Sequence, residues 1–247
     1  MSIYNKKGSE IWIEREADTS YKELPVGTYS IQAHPLAGLY LQKVDNYSHD
    51  GKVYGITPKH VERVVHTFHD RNVNTGLLLQ GEKGSGKTLL AKLLSMELLK
   101  QGISTLIVNS PFAGEGFNEF VNKINTPCMV LFDEFEKVYD YSKQDDLLTL
   151  FDGAAVNNSK KLFVLTMNSY FRVTDFIKNR PGRFFYNIQY KGLEPEFIVE
   201  YCEDNLKDKE QIRHVLVFAS TFQNFNFDIL KALVEEMNRY SEPVIDA

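Results

Sequence analysis

Three leucines, Leu77 to Leu79, run into Gly81-Glu82-Lys83-Gly84-Ser85-Gly86-Lys87-Thr88, and a leucine-rich amphipathic stretch opens at once with Leu89. An apolar strand, a glycine-rich loop and a helix in direct succession commit this part of the chain to a strand–loop–helix unit. Around it, the short apolar runs TGLLLQG, STLIVNS, PCMVLFDEF and KLFVLTMN alternate with the helical patterns KTLLAKLLSMELLKQG, FNEFVNKI and DLLTLFDG. Strand and helix in alternation predict an α/β fold: a three-layer, doubly wound parallel sheet with helices on both faces.

The chain divides by pattern. Residues 1–53 carry aromatic and β-branched runs (EIWIERE, GTYSIQ, GLYLQKVDNY) separated by Pro25-Val26-Gly27 and His34-Pro35, and read as a small β-rich N-terminal element. Residues 54–191 form the α/β core. Its first helix opens at Thr57-Pro58, with Thr57 as the expected cap and Val61, Val64, Val65 and Phe68 at helical spacing. Residues 192–247 hold a last set of helical patterns and read as a small helical lid. No apolar run approaches the roughly 20 residues of a membrane span, and the N-terminus has no secretory pattern, so a cytoplasmic protein is expected. Cys128 and Cys202 are too few for a disulfide framework and read as buried free thiols. A net charge of −5 argues against a chain devoted to coating nucleic acid.

The loop matches G-x-x-x-x-G-K-[ST], a pattern with a physical meaning. Glycines 81, 84 and 86 let backbone N–H groups point inward at phosphate oxygens, and the helix that follows adds its positive N-terminal end. Lys87 is expected to bridge the β and γ phosphates, and Thr88 to give a hydroxyl to Mg²⁺, a hard ion that prefers oxygen. The nucleotide-binding stretch is therefore Gly81, Glu82, Lys83, Gly84, Ser85, Gly86, Lys87, Thr88 and Leu89, with ATP and Mg²⁺ as cofactors. A second apolar run, Cys128 to Phe132, ends in Asp133-Glu134. Ligands of doubly wound sheets collect at the carboxyl ends of strands, so these acids arrive beside the phosphates. Asp133 is expected to orient the metal and Glu134 to polarise the attacking water.

A third apolar run, from Lys161, ends in Asn168; before it stands Leu147-Leu-Thr-Leu-Phe-Asp152-Gly153, and after it Asn179-Arg180-Pro181-Gly182-Arg183-Phe184. Here the chain, over about residues 54 to 240, resembles the AAA+ ATPases, and within them the AAA subgroup. The resemblance implies that Asn168 is the sensor that bonds the attacking water or the γ phosphate. It also implies that Arg180 and Arg183 act in trans on a neighbouring subunit's nucleotide, where a planar, always-charged guanidinium suits phosphate oxygens. Gly55 and Ile56, in Tyr54-Gly55-Ile56, stand where similar proteins cradle adenine; a plain strand end is the alternative reading. Phe112-Ala113-Gly114-Glu115 is similar to the subgroup's substrate-gripping loop but arrives early, leaving two readings, client grip and packing at a helix start. The lid departs from many AAA+ proteins in placing Phe227 where a second sensor arginine would stand. His60, His66 and His69 lack a fourth ligand and read as solvated helix residues. Phe218, Phe222, Phe225 and Phe227 read as lid core or a subunit contact.

The function these readings imply is a ring-forming, hexameric ATP hydrolase that remodels or translocates a macromolecular client, with protein favoured. The alternatives are a nucleic-acid-associated ATPase such as a helicase loader, since LLKQGISTLIVNS is also similar to that group, and a nucleotide-gated assembly or scaffold protein.

Overall fold

The structure, a computed structural model, describes residues 3–7, 10–14, 21–152, 159–168, 174, 177, 184–222 and 225–240, with main chain only at 3–7, 10–14 and 152. Its centre is a seven-stranded sheet. In chain order the strands among the described residues are β1 (Ile3–Lys7), β2 (Glu10–Glu14), β3 (Thr28–His34), β4 (Gly38–Val44), β5 (Thr75–Gly81), β6 (Ser104–Ile107), β7 (Cys128–Phe132), β8 (Lys161–Met167) and β9 (Tyr186–Tyr190). The sheet runs β4-β3-β6-β7-β8-β5-β9, parallel except for the antiparallel β3–β4 hairpin at one edge. The fold is α/β, with the order of strands reversing on either side of β5 as in doubly wound sheets.

Alternation along each strand feeds two separate cores. Leu77 and Leu79 of β5, Met129 and Leu131 of β7, and Leu162 and Val164 of β8 point to one face. There α1 (Thr57–Asp70) packs through Val64, Val65 and Phe68, and α2 (Lys87–Lys100) through Leu90, Ala91, Leu94 and Leu98. Leu78, Val130, Phe132, Phe163 and Leu165 point to the other face and meet α3 (Glu115–Lys123), α4 (Phe135–Val138), α5 (Tyr141–Asp146) and α6 (Leu148–Asp152). Because both faces are covered, the central strands are buried along almost their whole length and are mostly apolar, which is why they read as apolar runs.

Two details differ from the expectations of the sequence. The helix α1 takes Ile56, not Thr57, as its N-cap and has no side-chain capping bond; the Ile56 carbonyl accepts from His60 N at 3.1 Å and so closes the first turn without a hydroxyl. Within residues 1–53, β3 is bonded directly to β6, in register Thr28↔Thr105 to Ser30↔Ile107, so that β3 and β4 extend the central sheet, while β1 and β2 pair as a separate hairpin. After β9, α7 (Pro195–Asn205), a 3₁₀ turn (Lys209–Gln211), α8 (Ile212–Thr221) and α9 (Phe227–Tyr240) enclose their own core around Ile198, Cys202, Val215, Leu230 and Val234. Phe218 and Phe225 pack into this core, with Phe222 stacked on Phe218. Both thiols are buried, and burial pushes each up to about 11, so neither is a nucleophile at neutral pH. Among the described residues no helix is long and apolar enough to cross a membrane.

Candidate functional site

The loop between β5 and α2 adopts a shape only glycine permits at its key points. Gly81, Gly84 and Gly86 have φ of 147°, 80° and 98°. At Gly81 a Cβ would come within 2.6 Å of the Tyr190 carbonyl oxygen, so β9 seals the base of the loop. Lys87, only 6% exposed, folds back into the loop: its ammonium donates to the carbonyls of Gly81 (2.7 Å) and Glu82 (2.6 Å) and to Ser85 Oγ (3.3 Å). Burial pulls its pKa below the usual lysine range, with the carboxylates of Glu136, Asp133 and Glu134 acting in the opposite direction. The ammonium is thus held inside the loop by two backbone carbonyls.

Beside it the ends of β7 and β8 interlock. Asp133 Oδ1 accepts from Thr88 Oγ1 at 3.3 Å and from Thr166 Oγ1 at 2.6 Å, and Thr166 Oγ1 in turn accepts from Glu134 N at 2.8 Å. Thr166 was not among the residues expected in the site. Its signal was a polar side chain interrupting the apolar run of β8 two places before Asn168. Glu134 has φ 50° and ψ 47°, the one left-handed residue other than glycine among those described. Such strain persists where surrounding bonds hold it, and here it turns the carboxylate out of the strand line toward the cleft. Glu134 Oε1 pairs with Lys137 Nζ at 2.6 Å and accepts from Asn168 Nδ2 at 3.3 Å. The Lys137 ammonium, then Asn168, hold its pKa below the usual carboxylate range. Asn168 is itself fixed by its main-chain N–H, which donates to the buried Glu136 at 2.9 Å. The structure thus brings Lys87, Thr88, Asp133, Glu134 and Asn168 together.

Lys87, Thr88, Glu134 and Asn168 line a cleft of about 950 Å³, which residues 52–57 and the lid also line. Leu89, Lys83 and Ile56 line it too, with Ile56 55% exposed. Gly55 is placed there, but its N–H already donates to Glu200 Oε2 of α7 at 2.8 Å. On the lid side Phe227 and Asp228 face the cleft, and Asp228 Oδ2 lies 3.5 Å from where a Gly84 Cβ would be. The lid therefore offers a carboxylate at this point, itself paired with Lys231 at 3.0 Å. Phe112 stacks on Phe117 at 6.0 Å and packs against the core, and its carbonyl accepts from the buried Tyr139 hydroxyl at 2.9 Å. Of the two readings of Phe112, packing is the one the structure shows. Arg180 and Arg183 lie outside the described residues, as do the Asp152 side chain and Gly153.

A glycine loop with a buried lysine, a strand-end carboxylate pair and an α/β sheet that carries both to one edge define a P-loop α/β fold. Residues 77–191 are similar to the family model described as ATPase family associated with various cellular activities (AAA). The chain is similar to the peroxisomal ATPase pex6 of Schizosaccharomyces pombe, 28% identical over 132 residues, and to a putative cell division cycle ATPase of Plasmodium falciparum, 31% identical over 133 residues. The matches cover 44% and 45% of this chain but 14% and 10% of those relatives, so the chain spans a small part of their length.

Proposed function

We propose that the chain is the motor unit of a ring-forming, Mg²⁺-dependent ATPase, a homo-hexamer that acts in the cytoplasm to remodel or translocate a macromolecular client. The observation that carries this is the convergence of Lys87, Thr88, Glu134 and Asn168 on one cleft, with Asp133 bonded to Thr88 beside it. Two hard oxygen donors from different elements, the Thr88 hydroxyl and the Asp133 carboxylate, stand 3.3 Å apart, a donor set that suits Mg²⁺. Bound there, the ion would supply charge neutralisation at the phosphates. Lys87 leaves the loop carbonyls for phosphate oxygens. Glu134, kept ionised by Lys137 and oriented by Asn168, takes a proton from the water that attacks the γ phosphorus as the bond to the bridging oxygen breaks. Arg180 and Arg183, supplied by the neighbouring subunit, offset the charge that develops on the transferred group.

A net charge of −5 disfavours a polyphosphate client and supports a protein one. The test of the motor reading is Glu134→Gln. This variant should bind Mg-ATP as the wild type does and hydrolyse it at least ~10²-fold more slowly, and turnover near wild type would refute it. The same variant, held in its ATP state, is the means of capturing the client. Shared sites are tested by mixing Lys87→Ala with the Arg180→Ala/Arg183→Ala double variant: partial recovery of hydrolysis supports trans arginines, and a fully active double variant rules them out.

A further inference from the structure

The helix α7 has two working faces. Ile198 and Cys202 enter the lid core, Phe197 and Tyr201 pack against that core and also against Tyr54, and Glu200, Asp204 and Asn205 bond to residues 52–55. Glu200 divides its carboxylate: Oε1 pairs with Lys52 Nζ at 3.0 Å, and Oε2 accepts the Gly55 N–H at 2.8 Å. Asp204 pairs with the same Lys52 at 2.9 Å, and Asn205 Nδ2 donates to Tyr54 Oη at 3.1 Å. The ring of Tyr54 sits edge-on to Phe197 and Tyr201. Gly55 itself is left-handed, φ 69°, with Phe197 Cδ2 2.8 Å from where its Cβ would be. The approach of α7 to this segment is close because there is no side chain at 55.

Residues 52–57 also line the cleft into which the phosphate loop faces. With phosphates on the loop, a nucleotide's base reaches this wall. The edge of adenine that carries the 6-amino group also carries N1, an acceptor, and an acceptor needs an N–H from the wall. The Gly55 N–H is occupied by a carboxylate, which would also repel N1. The carboxylate is easily moved: Lys52 and Glu200 are 49% and 37% exposed, and such pairs hold weakly.

We propose that Glu200 is a gate on the base end of the cleft, holding the lid helix to residues 52–55 through the Gly55 N–H until adenine takes that donor and releases it. The gate rests on the nucleotide reading above. While Glu200 is seated the base site is closed, so the apparent affinity for ATP is lowered by the fraction of molecules in which it is open. Release frees α7 from the core wall at its most direct polar contact, which makes lid position answer to the base rather than to the phosphates.

Titration calorimetry of wild type and Glu200→Ala with Mg-ATP and with Mg-tripolyphosphate, which has no base, tests this. Thermal unfolding establishes that the variant is folded. The variant should bind ATP about three- to tenfold more tightly and tripolyphosphate unchanged. Unchanged or weaker ATP binding by the variant overturns the gate, as does equal tightening for both ligands, while wild-type binding of both ligands keeps the nucleotide reading intact in those cases. A wild type that binds neither ligand overturns the nucleotide reading and the gate with it.

Discussion

Beside the phosphate loop, Lys87 and Thr166 are buried and bonded to strand ends of a single sheet; at the other wall, Lys52 and Glu200 are half-exposed and join residues 52–55 to the lid. Lys87 and Thr166 are 6% and 1% exposed, and their partners are main chain and carboxylates held by β5, β7 and β8. Glu200 and Lys52 are open to water and join a loop to a separate helical core. Buried, fully bonded groups lose little mobility when a ligand arrives, which is what charge stabilisation during a reaction requires. Exposed contacts cost little to exchange, which is what a part that opens and closes requires. The difference assigns chemistry to the sheet and adjustment to the lid.

The comparison can be broken most severely at the phosphate end. Lys87→Ala should reduce ATP turnover on the order of 10²-fold or more, measured by phosphate release, with the loss already present in binding by calorimetry. Near-normal binding would show that the buried ammonium is structural. Next in size is Thr166→Val, which removes the hydroxyl between Asp133 and the Glu134 N–H while preserving shape. Leaving the Glu134 N–H unpaired and Asp133 with Thr88 alone should lower stability by about 1–3 kcal/mol by chemical denaturation and slow turnover with it. An unchanged midpoint would remove Thr166 from the site.

Two glycines sharpen the contrast further. Gly81→Ala meets the Tyr190 main chain at 2.6 Å, and main chain cannot yield without moving β9; a loss of about 2–3 kcal/mol is expected. Gly55→Ala meets only the Phe197 ring, which can turn, so its cost should be nearer the ~1 kcal/mol of a left-handed alanine. If Gly55→Ala proved the more damaging of the two, the base end would be the more rigid one. The smallest effect belongs to Lys52→Ala, whose exposed pairs with Glu200 and Asp204 should contribute no more than about 1 kcal/mol to the unfolding midpoint.

Much of the site could be read from residue order because its parts are local. The loop from Gly81 to Thr88 is contiguous, and Asp133, Glu134 and Asn168 each follow directly on an apolar strand, so the direction of the strands alone carries them to one edge of the sheet. The same holds for the β-α alternation and for the lid helices, whose apolar spacing is visible over single elements. Arg180 and Arg183 remain proposals from resemblance.

What only the tertiary structure decided are contacts between residues far apart in the chain. Thr166 reaches Asp133 across 33 positions, Glu136 holds Asn168 across 32, and Glu200 holds Gly55 across 145. The pairing of β3 with β6 likewise joins residues separated by about three-quarters of a hundred positions of chain, so the hairpin's place at the sheet edge has no local signature. A side chain's periodicity reports which face of its own element it occupies, as for Thr166 and Glu200, but not which distant group meets that face. That is settled when the strands take their order and the lid folds back, where burial makes an unpaired donor or carboxylate costly and so selects its partner.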